Sequence, residues 1–137
     1  MKMNNTVSGS LSLGSVLTQE KSLLPESDYD FMISGVRIVD FHGKIGDCKK
    51  VILTLSIFAN EATVDIRTDL ILHENFRWKI EQFFSTIGRI AEDGSFILDF
   101  NGIIGLSGKG HVIQKTYKKH NGSDVTENDV SYYIRRN

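Results

Sequence analysis

The chain has 137 residues, enough for one domain with a core of its own. Hydrophobic residues make up 40% and charged residues 24%, with one Pro and twelve Gly, a balance that excludes collagen-like, low-complexity and membrane-spanning classes. Net charge is -1, so the whole-molecule field selects no partner.

Residues 1–23 are rich in Ser, Asn, Gly and Thr and read as a flexible N-terminal arm. Leu11, Leu13, Val16 and Leu17 interrupt that composition and could form a short docking segment, for instance on a second subunit. This stretch has no continuous apolar core of the signal-peptide kind. Together with the lone Cys48, that leads to the expectation of a soluble protein in a reducing cytoplasm.

Residues 24–137 read as a single domain. Leu24-Pro25-Glu26-Ser27 is a turn leading into a long strand, Tyr29 to Phe41, with apolar residues on both faces and Gly35 as a bulge or bend. His42 to Asp47, with two Gly, is a hairpin loop. Val51, Leu53, Leu55 and Ile57 mark the buried face of a second strand. After the tight turn Asn60-Glu61, a third strand buries Ala62, Val64, Ile66, Thr68, Leu70 and Leu72 and wets Asp65, Arg67 and Asp69. These three strands form an antiparallel meander.

Phe76, Ile80, Phe83, Phe84 and Ile87 then fall on one stripe at the 3.6-residue period, predicting a helix over about 75–87, with Gly88 as its stop. About three turns are too few to stand alone, so the stripe must pack on the sheet. Phe96, Leu98 and Phe100 alternate briefly, and Ile103 to Leu106 is a short apolar run. Ser107-Gly108-Lys109-Gly110 reads as a turn. It fails as a phosphate loop because Ile103 and Gly110 stand where Gly and Ser/Thr are needed. A strand from His111 to Lys119, a hairpin at His120–Asp124 and a closing strand from Asp129 to Arg136 complete the chain. The fold class is therefore mainly β: an OB-like antiparallel barrel or strongly twisted sheet of five or more strands, with one helix between strands 3 and 4.

No catalytic set, metal site or cofactor is expected. The four His are scattered, and the pairs Asp28/Asp30 and Asp65/Asp69 read as wet strand faces rather than metal ligands. The informative pattern is interleaved cations and aromatics. Residues 101–137 carry six basic and three acidic residues, a net of +3, against -4 for residues 1–100. Lys115, Tyr117 and Lys119 share a strand face, Tyr132, Tyr133 and Arg135 lie on the next strand, and Arg37, Lys44 and Arg67 belong to the early strands. Aromatic faces stack on bases while cations track phosphates, so these nine residues are the candidate path for a single-stranded nucleic acid. The competing reading is a solvated sheet whose tyrosines belong to the core.

The order LPESDYDFMISGV, TVDIRTDLIL, RWKIEQFFSTIG and GKGHVIQKTYKKHNGSDVTENDVSYYI resembles a family of small bacteriophage proteins of unknown function, encoded among phage replication and recombination genes. The resemblance spans roughly residues 24–135 and is densest at "TDLIL", the aromatic helix with Trp78, and "NDV" at 128–130. It implies single-stranded-DNA binding on an OB-like barrel. The rival expectations are a protein-interaction module that inhibits a host defence nuclease, and, last, a metal-dependent nuclease. A homodimer is also compatible with the pattern of sheet edges.

Overall fold

The computed structural model describes residues 23–136. The N-terminal arm therefore lies outside the described residues, apart from Leu23. Five strands form one antiparallel sheet: β1 (Ser27–Gly43), β2 (Gly46–Ala59), β3 (Ala62–Leu72), β4 (Ser107–Lys118) and β5 (Asp124–Tyr133). Their order is β3-β2-β1-β4-β5. A 3-10 turn (Glu74–Phe76) runs into one helix, α1 (Arg77–Thr86).

β1 is shared between two neighbours. Ser27–Met32 pair with β4, and Met32–Gly43 pair with β2. The change of partner coincides with a register shift between Ile33 and Gly35. The irregularity flips the later side chains: Phe31 and Ile33 face the core, Val36 packs against it and Ile38 lies on the same side of the sheet but half exposed, while Arg37, Val39 and Phe41 lie on the other side beside Ile52 and Lys50. Strict alternation had placed Arg37, Val39 and Phe41 with Phe31 and Ile33.

The sheet curves until its outer strands meet, without closing into a barrel. Thr68 of β3 donates to Asp129 of β5 at 2.6 Å, and Lys79 of α1 donates to the carbonyl of Val130 at 2.8 Å. Side chains thus stand where a fifth backbone ladder would have to run.

The inner face of β2 (Val51, Leu53, Leu55, Ile57) is fully buried, and Ile80, Phe83 and Phe84 of α1, with Ile87 just after it, join the same core, the helix lying against β5, β4 and β3. Phe83 sits edge-on to Phe84 and Tyr133, at 5.5 and 5.2 Å between ring centres. Burial of each of these rings contributes about 1.5–3 kcal/mol. α1 ends in a Schellman arrangement. Gly88 takes φ +78°, its N–H bonds Ser85, and the Arg89 N–H bonds Phe84. The Arg136 guanidinium closes the same end by donating twice to the carbonyl of Thr86 and once to that of Ser107.

Three expectations are corrected. Ser107–Gly110 is the beginning of β4 rather than a turn, because Gly108 runs directly under Thr86 and Phe31. Residues 96–106 form no strand; they run irregularly and are anchored by buried Phe100 and Ile103. The closing strand also begins and ends earlier than 129–136, and residues 134–136 follow it as a tail tied through Ile134 to the carbonyl of Lys109.

Candidate nucleic-acid interface

β4 positions the largest share of the candidate side chains. Gly108, Gly110 and Val112 face the core, so Lys109, His111, Lys115 and Tyr117 share the outer face. Tyr132 lies across from His111 on β5, and the two rings stack 9° from parallel at 4.9 Å.

His111 is the best-defined member of this row. Its Nδ1 lies 2.8 Å from Asp28 and its Nε2 lies 3.1 Å from Glu26. Two carboxylates can each accept only if both ring nitrogens carry a proton, so the geometry holds an imidazolium. The Asp28 hydrogen bond first, then that to Glu26, raises its pKa above the ordinary value. Tyr117 donates to Glu127 at 3.1 Å, which raises the phenol's pKa, and the charge of Arg67 on β3 partly offsets this.

The nine candidates do not form one cluster. Lys115, Tyr117 and Tyr132 share the outer face of β4 and β5, with Arg67 near Tyr117. Arg37 lies on the outer face of β1, in a row with Ile52 and Asp69. Lys44 is at the tip of the β1–β2 hairpin, well beyond Met32, where β1 stops pairing with β4. Lys119 lies past the end of β4, in a shallow pocket with Tyr117, Lys118 and His120.

Tyr133 is not a surface residue. It is 1% exposed, edge-on to Phe31 and Phe83, and its hydroxyl has no hydrogen-bond partner among the described residues. Burial pushes its pKa far up, so it stays a neutral phenol. The bulge between His111 and Val112 sets its neighbour Tyr132 outward and Tyr133 inward.

Four of the cations on this side come with counter-ions. Lys109 stands 3.8 Å from Asp30, Lys115 stands 3.9 Å from Asp129, Lys118 pairs with Asp124 at 3.0 Å, and Arg135 stands 3.9 Å from Glu81. The acids considered as metal ligands are used in the same way. Asp28 holds His111, Asp65 accepts from Ser56, and Asp69 pairs with Lys50 at 2.9 Å. Among the described residues no group of three or more His, Cys, Asp or Glu is placed to hold a metal ion. Among them, too, no helix is long and apolar enough to cross a membrane.

A groove of about 580 Å³ lies where β2, β1 and β4 meet, and sequence reasoning missed most of it. Met32 and Phe58 line it, with Asp30, Lys109 and Arg135 around them. Phe58 is 74% exposed, the most open aromatic ring of the sheet. In sequence it passes for one more apolar residue at the end of an apolar strand. The available signal was parity: Phe58 follows buried Ile57 and so falls on the opposite face.

No protein-family model matches the chain, and no curated protein matches it.

Proposed function

We propose that this is a phage accessory protein with an OB-like fold that binds single-stranded nucleic acid during replication or recombination. The observation that carries the reading is the exposed Phe58 ring over a groove with Lys109 and Arg135 at its rim. A base stacks on Phe58 beside Met32, and the flanking phosphates meet Lys109 and Arg135. Their acidic partners stand at 3.8 and 3.9 Å, too far for tight hydrogen bonds, so phosphates displace them at small cost. From there the strand continues along the outer face of β4, past the stacked His111–Tyr132 pair to Lys115 and Tyr117. The OB-like assignment draws support from a curved antiparallel sheet of five strands whose first strand is shared by two neighbours, and from a helix packed on its core.

Fluorescence anisotropy with a labelled oligonucleotide, titrated across salt, tests the reading. Two or three phosphate contacts give a log–log salt slope of about -1.4 to -2.1. Phe58→Ala weakens binding roughly tenfold by removing one stacking platform worth about 1–3 kcal/mol. Absence of binding at low salt removes the proposal.

A second reading is a protein-interaction module directed at a host defence nuclease. It draws on the counter-ions that accompany Lys109, Lys115, Lys118 and Arg135, which leave little free positive field for DNA. Recovery of a nuclease by the pure protein, with no oligonucleotide affinity, favours it.

A further inference from the structure

A stretch of the β1 edge that has no strand partner among the described residues, and the groove beside it, are unused by the nucleic-acid reading. β4 leaves β1 at Met32, and the Ile33 N–H and C=O are taken by Leu106 and Gly105. From Val36 to His42 the only ladder partner of β1 among the described residues is β2. The β1–β2 hairpin closes on a two-residue turn between Gly43 and Gly46, so hydrogen-bonded and open pairs alternate from that point. The alternation aims the N–H and C=O of Val36, Ile38, Asp40 and His42 away from β2. Ile33, on the far side of the bulge, aims its own groups the same way, as its bonds to residues 105 and 106 show.

The side chains beside this edge are mostly apolar, with Asp99 and Asn101 among them. Val36, Ile38, Leu98 and Ile104 line a groove of about 620 Å³. Ile38, Leu98 and Ile104 are each more than half exposed, as is neighbouring Ile97. An edge of seven residues reading Val-Arg-Ile-Val-Asp-Phe-His carries no Lys, no Pro and three β-branched apolar residues, and so lacks the usual protection against pairing.

We infer that this edge pairs with the same edge of a second copy of the chain, antiparallel about a two-fold axis at Ile38. The occupant is chosen by register. In that alignment Ile38 meets Ile38 of the other copy, Val36 meets Asp40 and Arg37 meets Val39. The outward N–H and C=O groups of Val36, Ile38 and Asp40 then face those of Asp40, Ile38 and Val36 of the other copy, His42 falls opposite Ser34 of the bulge at the end of the paired stretch, and no like charges are opposed. Asp40 is already neutralised by Lys49 on its own β2, so pairing buries no free carboxylate. The two apolar grooves become continuous across the axis, covering Ile38, Leu98 and Ile104 of both copies, and the two sheets join into one.

Sedimentation velocity of the full chain over a micromolar concentration series tests this. The expected result is a mass of two chains. Ile38→Pro removes one outward N–H and no bond to β2, so it leaves the fold intact and raises the dimer dissociation constant at least tenfold. Ile38→Lys does the same by placing two like charges on the axis. Far-UV circular dichroism of each variant checks that the monomer is folded. Ile38→Cys cross-links to a dimer under mild oxidation, whereas Phe58→Cys, in the other groove, does not. A monomer at every concentration overturns the inference, as does a dimer indifferent to both Ile38→Pro and Ile38→Lys.

Discussion

Gly108→Ala asks why the phosphate-loop-like Ser-Gly-Lys-Gly run is there. Gly108 has no special backbone angle, so only space can require glycine at this position. A Cβ would lie 2.7 Å from Thr86 Cγ2 and 2.8 Å from Phe31 Cζ, where carbon atoms prefer about 3.5–4.0 Å. Neither neighbour yields easily. The Thr86 hydroxyl accepts from the Lys109 N–H at 2.8 Å and donates to the Lys109 carbonyl at 3.1 Å, and both bonds strain if the side chain moves. Phe31 is 4% exposed and wedged edge-on to Tyr133. Overpacking of this kind costs about 1–3 kcal/mol, while losing a flexible glycine from the unfolded chain returns about 0.4–1 kcal/mol. The expected net loss is about 1–2 kcal/mol. In urea unfolding, with a slope near 2 kcal/mol/M, the midpoint falls by about 0.5–1 M. Thr86→Ser removes the closest carbon and keeps the hydroxyl but leaves Phe31 in place, so the double variant should recover part of the loss and the two changes should be non-additive. If Gly108→Ala is as stable as the wild type, or the double variant recovers nothing, the close-approach argument fails.

Two further predictions concern the hairpins and the β1–β4 seam. Asn60 and Glu61 take φ +52° and +64°, a type I′ turn in which Asn is at ease and Glu is not. Glu61→Gly should therefore stabilise by about 0.5–1 kcal/mol and raise Tm by roughly 2–4 °C in a thermal scan, while an unchanged or lower Tm contradicts the turn assignment. Because Asp28 and Glu26 raise the pKa of His111, its contribution to stability is complete below the unfolded value near 6.5 and is lost as pH rises through the folded value. The Tm gap between the wild type and His111→Gln should be widest near about pH 5.5, where the carboxylates are still ionised, and should shrink in the alkaline range; a gap independent of pH would show that the ring contributes by packing alone.

Local chemistry was enough to read most of the scaffold. The inner face of β2, the Asn60-Glu61 turn, the stripe of α1 and its Gly88 stop are each written in a few neighbouring residues, because period and cap preference act over one or two turns of chain. The positions of the functional side chains were not legible in this way. One bulge near Gly35 turned Arg37 outward, and another at His111/Val112 sent Tyr132 to the surface and Tyr133 into the core, yet neither bulge changes the residue pattern that a two-residue period reads. Sequence also placed positive charge at the C-terminal end, but only the packed sheet set Asp28 and Glu26 on His111, Asp129 beside Lys115 and Glu81 beside Arg135. Composition can count charges. Which charge faces a groove and which faces its own counter-ion depends on contacts between residues far apart in the chain, and those exist only once β1 has chosen where to leave β4 for β2.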